Sequence, residues 1–214
     1  MRLGLIADLH GDLEGFQQAL RLFERESVER ILCAGDVVER GSGADTIIGM
    51  IQQQGIPCIR GNHDATIVAN QAHWRDSDNP TRLVELGRIV SDSTLHFLKN
   101  LPETLTFLFD SIRLLLAHGT PWSDVMTVFP DTRQGVLDRI VERHSASTDV
   151  IILGHTHQPM RLRIAGLWIV NPGSVYGVTI RDSHTCAILD IPSCDLTVLD
   201  LKTGSPLAVP LVER

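Results

Sequence analysis

Five apolar runs in this chain break off in the same way. After LGLIA come Asp8, Leu9 and His10, and after ILCA come Gly35 and Asp36. PCIR is followed by Gly61, Asn62, His63 and Asp64, and IRLLLA by His118 and Gly119. VIIL is followed by Gly154, His155, Thr156 and His157. Short apolar runs bounded by glycine and polar residues read as buried strands. In an open α/β sheet the carboxyl ends of the strands line the ligand crevice. The chain is therefore expected to fold so that these strand ends, with their Asp, Asn and His side chains, converge.

The rest of the pattern says how. RLGLIAD reads as a strand, followed by a helix that Asp12 can cap and that runs through Phe23, with Leu13, Phe16, Leu20 and Phe23 on one face. RILCAGD is a second strand, ADTIIGMIQQQ a helix ended by Gly55, and IPCIRGNHD a third strand. Such alternation with short connections makes βαβ units and a parallel sheet. Beyond it, TLTFLFDSIRLLLAHG reads as a hairpin turning at Asp110 and Ser111, and TRQGVLDRIVERHS as a helix leading into the strand DVIILGH. Short strands around MRLRIAGLWIVNPGS, TCAILDI and DLTVLDL suggest an antiparallel sheet. The expected class is α/β, with two sheets packed face to face and covered by helices. Residues 1–214 are expected to form a single domain with a helical insertion at about 65–100, placed as a flap over a site.

Composition narrows the function. A formal net charge of −7 does not favour nucleic acid as a partner, because affinity for phosphate backbones rests on clustered Lys and Arg. The apolar stretch Leu3–Ala7 is too short for the apolar region of a signal peptide, and no later run approaches a membrane span. Cys33, Cys58, Cys186 and Cys194 show no C-x-x-C spacing; buried reduced thiols and a cytoplasmic location are expected.

Carboxylate and amide oxygens mixed with imidazole nitrogens, without thiolate, suit Mn²⁺, Fe, Ni²⁺ or Zn²⁺. Asp8, His10, Asp36, Asn62, His118, His155 and His157 are too many ligands for one open catalytic ion. Two divalent ions sharing one bridging carboxylate use that number naturally. His155 and His157 in extended geometry point to the same side roughly 7 Å apart, at about 3.3 Å per residue, so each can reach a different ion.

The motifs DLH, GD, GNHD, HG and GHTH, in this order, resemble those of the calcineurin-like metallophosphoesterase superfamily, and NPGS (Asn171–Ser174) strengthens the likeness to its small bacterial phosphodiesterase and phosphatase members. The likeness runs from Met1 to about Ser174. It implies a four-layer α/β/β/α sandwich of two mixed sheets and a dinuclear centre, with manganese as the expected metal. By matching positions, one ion would be held by Asp8, His10, Asp36 and His157, and the other by Asp36, Asn62, His118 and His155. A water or hydroxide between the ions would be the nucleophile on a small phosphodiester or phosphomonoester. His63 matches the proton donor to the leaving oxygen, a suitable general acid near neutral pH. Small members often have Cys at that position, so His63 points toward monoester competence.

GDVVERG resembles the GD-x-V-D-R-G of the superfamily's protein phosphatases and dinucleoside tetraphosphatases. Glu39 then stands where an Asp would orient the histidine, Asp64 is the competing partner of His63, and Arg40 matches a phosphate-binding arginine. Alternative functions are accordingly a Ser/Thr protein phosphatase or a dinucleoside polyphosphate hydrolase. From another class, a retromer-subunit-like scaffold would share the fold, but there the ligand set is incomplete, whereas here every position is filled. Asn171 and Ser174 fit either a place near the site or plain turn chemistry. Trp122 and Phe129 are candidates to line a substrate pocket, Trp74, Arg75 and Arg82 to cover it, and Arg181 to face an anionic substrate. Neither the substrate nor the oligomeric state is written in any motif.

Overall fold

The computed structural model describes all 214 residues. Strands β1 (Arg2–Ile6) and β2 (Arg30–Cys33) lie parallel, Leu3 opposite Arg30, and are joined by α1 (Leu13–Arg25). Asp12 caps α1 by accepting from Gly15 N at 2.9 Å. Helix α2 (Ala44–Gln54) follows β2 and ends at Gly55 as its sequence suggests.

The stretch expected as a third strand does not form one. Residues 56–64 meet β2 through a single bridge between Cys33 and Cys58. Cys33 N donates to Pro57 O at 2.9 Å and Ile59 N to Cys33 O at 3.2 Å. Pro57 has no N–H with which to extend the ladder, and the chain turns into helix α3 (Asn62–Arg75) directly afterwards. With α4 (Pro80–Glu85) and α5 (Asp92–Lys99), α3 supplies the helical insertion.

The hairpin turns where the sequence placed it, with β3 (Thr104–Phe109) antiparallel to β4 (Ile112–Ala117). Helix α6 (Gln134–His144) leads to β5 (Val150–Ile152), and then come β6 (Pro159–Ile164), β7 (Leu167–Pro172), β8 (Thr185–Asp190), β9 (Asp195–Asp200), β10 (Pro206–Leu207) and β11 (Leu211–Glu213). The two sheets have the orders β10-β9-β8-β1-β2 and β11-β6-β7-β5-β4-β3. The later strands thus do not build a separate antiparallel sheet. β8 returns to pair antiparallel with β1, while β5 runs parallel to both β4 and β7. Each sheet is mixed.

Alternation along the strands creates the layers. Leu3, Leu5 and Ala7 face Leu114, Leu116, Val150 and Ile152 between the sheets. Ile6 and Cys33 turn the other way, onto Phe16, Phe23, Ile47, Ile51 and Leu98 of the helices. Leu115, Ala117, Ile151 and Leu153 face Leu137 and Ile140 of α6. The result is helices, sheet, sheet, helix, with three apolar seams in which each fully buried Leu, Ile or Phe contributes about 1.5–3 kcal/mol relative to exposure. All four cysteines are buried and free. No helix is long and apolar enough to cross a membrane.

Away from the ligand-bearing strand ends, Asp149 joins the start of β4 to the start of β5. It accepts from Arg113 N at 2.8 Å, Nε at 2.9 Å and a terminal guanidinium nitrogen at 2.8 Å. The Arg113 fork holds the Asp149 carboxyl down to about 2. A depressed carboxyl contributes stability that is present above its ordinary value, near 3.9, and lost as pH falls toward 2. Asp149→Asn is therefore expected to lower Tm at pH 7 and to converge with the wild type near pH 2, measured by thermal melts across that range. An equal deficit at both pH values would rule out the ionic contribution.

Candidate metal centre

The two sheets bring the strand-end loops to one rim, and backbone bonds tie the loops together. Asp8 N donates to Gly35 O at 3.0 Å and His10 N to Asp36 O at 3.0 Å. Across the sheets, Gly154 N donates to His118 O at 2.8 Å, and Tyr176 N to Asp8 O at 3.1 Å. Asp8, His10, Asp36, His155 and His157 all have positive φ, between 46° and 68°. Asp and His are among the non-glycine residues that enter this region most readily. Each such residue still costs on the order of 1–3 kcal/mol unless its surroundings enforce it.

The side chains then gather. Ligand atoms of Asp8, His10 and His157 lie within 4.8 Å of one another, as do those of Asp36, His118 and His155. Asp36 Oδ2 stands between the groups, 3.9 Å from His10 Nε2 and 3.2 Å from His118 Nε2. Its other oxygen is occupied, accepting from His63 N at 2.8 Å. Asn62 joins the second group, with its Oδ1 3.1 Å from His118 Nε2.

The imidazole environments test whether a cation fits. His10 Nδ1 donates to Val38 O at 3.2 Å, and His157 Nδ1 to Asp182 Oδ1 at 2.6 Å. Those partners place the ring protons on Nδ1. The two Nε2 atoms then present lone pairs to each other at 3.2 Å, an arrangement that is repulsive unless something positive lies between. His118 repeats the theme: Nδ1 donates to Ala34 O at 2.7 Å, while Nε2 faces the oxygens of Asp36 and Asn62, with Asp8 Oδ1 4.0 Å away. His155 donates from Nε2 to Val125 O at 3.1 Å, which leaves Nδ1 for the cluster. Hydrogen bonds that fix the ligand face of an imidazole are typical of metal-binding histidines, and the donor set fits divalent ions.

Without cations the charges must balance among themselves. Burial alone would raise Asp36, yet facing His118, His10 and His63 hold its carboxyl far below the usual range. Burial opposes charge on His118, but Asp36 and Asp8 push it up to about 10. His10, where burial dominates, is pushed down to about 4.

Beside this cluster, the His63 ring lies edge-on to His10 at 4.7 Å between centroids, with Nε2 4.0 Å from Asp36 Oδ2. Its Nδ1 is bonded to Glu39 Oε2. Burial would lower the His63 pKa, but the Glu39 hydrogen bond and the Asp36 and Glu39 charges raise it. Asp64, the other candidate partner, is not near that ring nitrogen. Its carboxylate accepts from Asp36 N, Val37 N and Gly61 N, each at 2.9 Å. Asp64 thereby caps α3 and ties the Asp36 loop to the Asn62 loop. The approach is so close that a Cβ on Gly61 would lie 2.1 Å from Asp36 Oδ1.

Arg40 lines a cleft of about 670 Å³ with Phe129, His155, His157, Ile180, Arg181 and Asp182. Asn171 and Ser174 are wholly buried and serve the backbone. Asn171 Nδ2 donates to Gly154 O at 2.7 Å, holding the GHTH turn, and Ser174 Oγ donates to Tyr176 O at 2.8 Å. Trp122 lies under Arg139, whose guanidinium is 4.3 Å from the ring centroid, and packs on the α6 side. Arg75 and Arg82 bond within the insertion, to Asp92 and Glu85. Two residues had no signal in the sequence. Asp182 is the neighbour of Arg181 in the chain, and only the fold carries it back to His157. Arg88 donates from Nε to Glu39 Oε1 at 2.9 Å.

Two imidazole–carboxylate clusters on the strand-end rim of a two-sheet sandwich define a hydrolase of the metallophosphoesterase type. Residues 1–193 match the calcineurin-like phosphoesterase superfamily domain, and the chain belongs to that superfamily. A phosphodiesterase of Methanocaldococcus jannaschii is 22% identical over 190 residues, 89% of this chain and 93% of the relative. The crystal structure of a metallophosphoesterase from Sphaerobacter thermophilus superposes with a TM-score of 0.71 at 19% identity, covering 98% of this chain and 90% of that one. Vacuolar protein sorting 29 from Cryptosporidium parvum has a TM-score of 0.59 at 20% identity, covering 96% and 94%. At these identities the structural likenesses speak for the fold alone.

Removing a carboxylate that orients a metal-ligating histidine typically costs 10–100-fold in metal affinity. Asp182→Asn is expected to weaken Mn²⁺ binding by roughly that factor, read by calorimetric titration of metal-stripped protein. Unchanged affinity would show that His157 needs no such support.

Proposed function

We propose that this protein hydrolyses a small phosphodiester or phosphomonoester with the aid of two divalent metal ions, manganese being the ion of choice. The observation that carries this reading is the pair of clusters sharing Asp36, with imidazole lone pairs turned inward. Asp8, His10, Asp36 and His157 would hold one ion, and Asp36, Asn62, His118 and His155 the other. Such a pair of cations acidifies water and neutralises charge on phosphate oxygens during in-line displacement.

The remaining work belongs to the chain. Glu39 occupies His63 Nδ1, so Nε2 is the atom left to face a substrate. Against burial, the Glu39 hydrogen bond and the Asp36 and Glu39 charges raise the His63 pKa, which favours the protonated ring that can give a proton to the departing oxygen. Arg40 stands at the cleft mouth over the Tyr176 ring, 5.7 Å from its centroid, and supplies positive charge for a phosphate oxygen. Asp64 belongs to the frame and not to the chemistry. The scaffold alternative receives no support from the site, since every ligand position is filled and burying such groups without partners is costly.

The test is hydrolysis of bis-p-nitrophenyl phosphate and p-nitrophenyl phosphate by metal-stripped protein reloaded with Mn²⁺. Activity should depend on the metal and vanish in His157→Ala. On an alkyl monoester such as glycerol phosphate, whose leaving oxygen needs a proton, His63→Ala should lower turnover by about 10²–10⁴-fold, the usual contribution of general acid catalysis, and far less on p-nitrophenyl phosphate. Metal loading without hydrolysis of either ester would sink the proposed substrates, and failure to bind metal would sink the site itself.

A further inference from the structure

The insertion has a use beyond packing. It begins with His63 on the first turn of α3 and, after α4, returns Arg88 to the same place. Arg88 Nε donates to Glu39 Oε1 at 2.9 Å, while the other oxygen of Glu39 takes His63 Nδ1. One carboxylate thus has each oxygen committed to a different partner. Glu39 is 8% exposed and sits, like Arg40, in the left-handed region, at φ 70° and 75°.

Arg88 is itself well fixed. Its carbonyl accepts from Gln71 Nε2 at 2.9 Å, and Gln71 Oε1 accepts from Val90 N at 2.9 Å. Its guanidinium lies over Trp74, 5.7 Å from the ring centroid, where the cation gains from the ring's negative face. The neighbouring Gly87 presses so closely on the Glu39–Gly41 turn that a Cβ there would lie 2.1 Å from Gly41 O. A glutamate has one more rotatable bond than an aspartate. Left alone it would lose orienting power; with Arg88 on its far oxygen it is held.

Resting on the phosphoesterase reading above, we propose that Arg88 is a positioning residue, which fixes Glu39 and through it His63, and that this device fits the enzyme to esters of aliphatic alcohols. In the step concerned, the bond from phosphorus to the leaving alkoxide oxygen breaks and that oxygen takes the proton from His63 Nε2. A water oxygen forms the new bond to phosphorus and releases its proton, and the imidazole is reprotonated from solvent. An alkoxide leaves poorly without a proton, whereas p-nitrophenolate leaves readily. A well-held acid therefore matters for the first class of ester and little for the second.

The experiment compares wild type, Arg88→Ala and Arg88→Lys, all loaded with Mn²⁺, on p-nitrophenyl esters and on glycerol phosphate and glycerophosphocholine. Arg88→Ala should lose on the order of 10²-fold in kcat/KM on the alkyl esters and less than about threefold on the p-nitrophenyl esters. Arg88→Lys should recover part of the loss, and metal content should not change. Independently of turnover, the downfield N–H proton resonance assigned to His63 Nδ1 by its absence in His63→Gln should persist in wild type and Arg88→Lys and broaden in Arg88→Ala. Equal losses on both kinds of ester, or a fall in metal content, would overturn the proposal. So would an unaltered His63 resonance in Arg88→Ala. A wild type that hydrolyses none of these esters would overturn the phosphoesterase reading and the alkyl-ester preference together, while the resonance would still decide whether Arg88 holds His63.

Discussion

Asp36 is a carboxylate with almost no water around it and three imidazoles within reach of a single oxygen. Charge in such a place is tolerable only with opposite charge close by, and most of the rim exists to supply it. Asp64 braces the Asp36 loop through three backbone N–H groups. His63 N takes the oxygen that does not face the clusters. His118 and His10 approach the oxygen that does. Moving Asp36 by an ångström would unsettle both clusters at once, since its Oδ2 lies within 4 Å of His10 in one and of His118 in the other.

The layered architecture converts this local demand into a global one. β1 carries Asp8 and His10 at its end, β2 carries Asp36, β4 carries His118, and β5 carries His155 and His157. These strands belong to two different sheets, so the site spans the seam between them. The apolar side chains that fill that seam set the spacing of the two half-sites. Close-packed interiors transmit small changes in volume, so a core substitution between β1 and β5 bears on ligand geometry as directly as one at the rim.

Much of this was legible in the sequence, for a physical reason. A buried strand must be apolar until it surfaces, so the residue at which the apolar run stops is also the residue that reaches the crevice. That rule brought Asp8, His10, Asp36, His118, His155 and His157 to the crevice without any knowledge of tertiary contacts, and Asn62 reached it although the run before it forms no strand. It overreached at residues 56–64, where proline stopped a ladder that the apolar pattern had suggested. It was silent on Asp182 and Arg88. Both sit in polar, helix- or turn-like sequence, and neither ends a strand. Their roles come from chain returns of 25 and 49 residues to His157 and Glu39, which local pattern does not encode. Nor did it choose between Glu39, in GDVVERG, and Asp64, next to His63 in GNHD, since only the fold shows which of them faces the ring.

The left-handed backbone of the candidate ligand residues has a bearing on how such a site evolves. Asp8, His10, Asp36, His155 and His157 hold a conformation in which glycine would rest without steric cost. Mutating one of them to glycine would relieve backbone strain while deleting a candidate ligand, but at Asp8 and Asp36 it would also strip the acceptors from His155 N and His63 N. The strain these five positions carry is offset in part by those bonds, and on the reading proposed above the remainder is the cost of their chemistry. Descendants that lost activity yet kept the fold would be expected to show their first scars here, as a frame made easier by the loss of what it was built to carry.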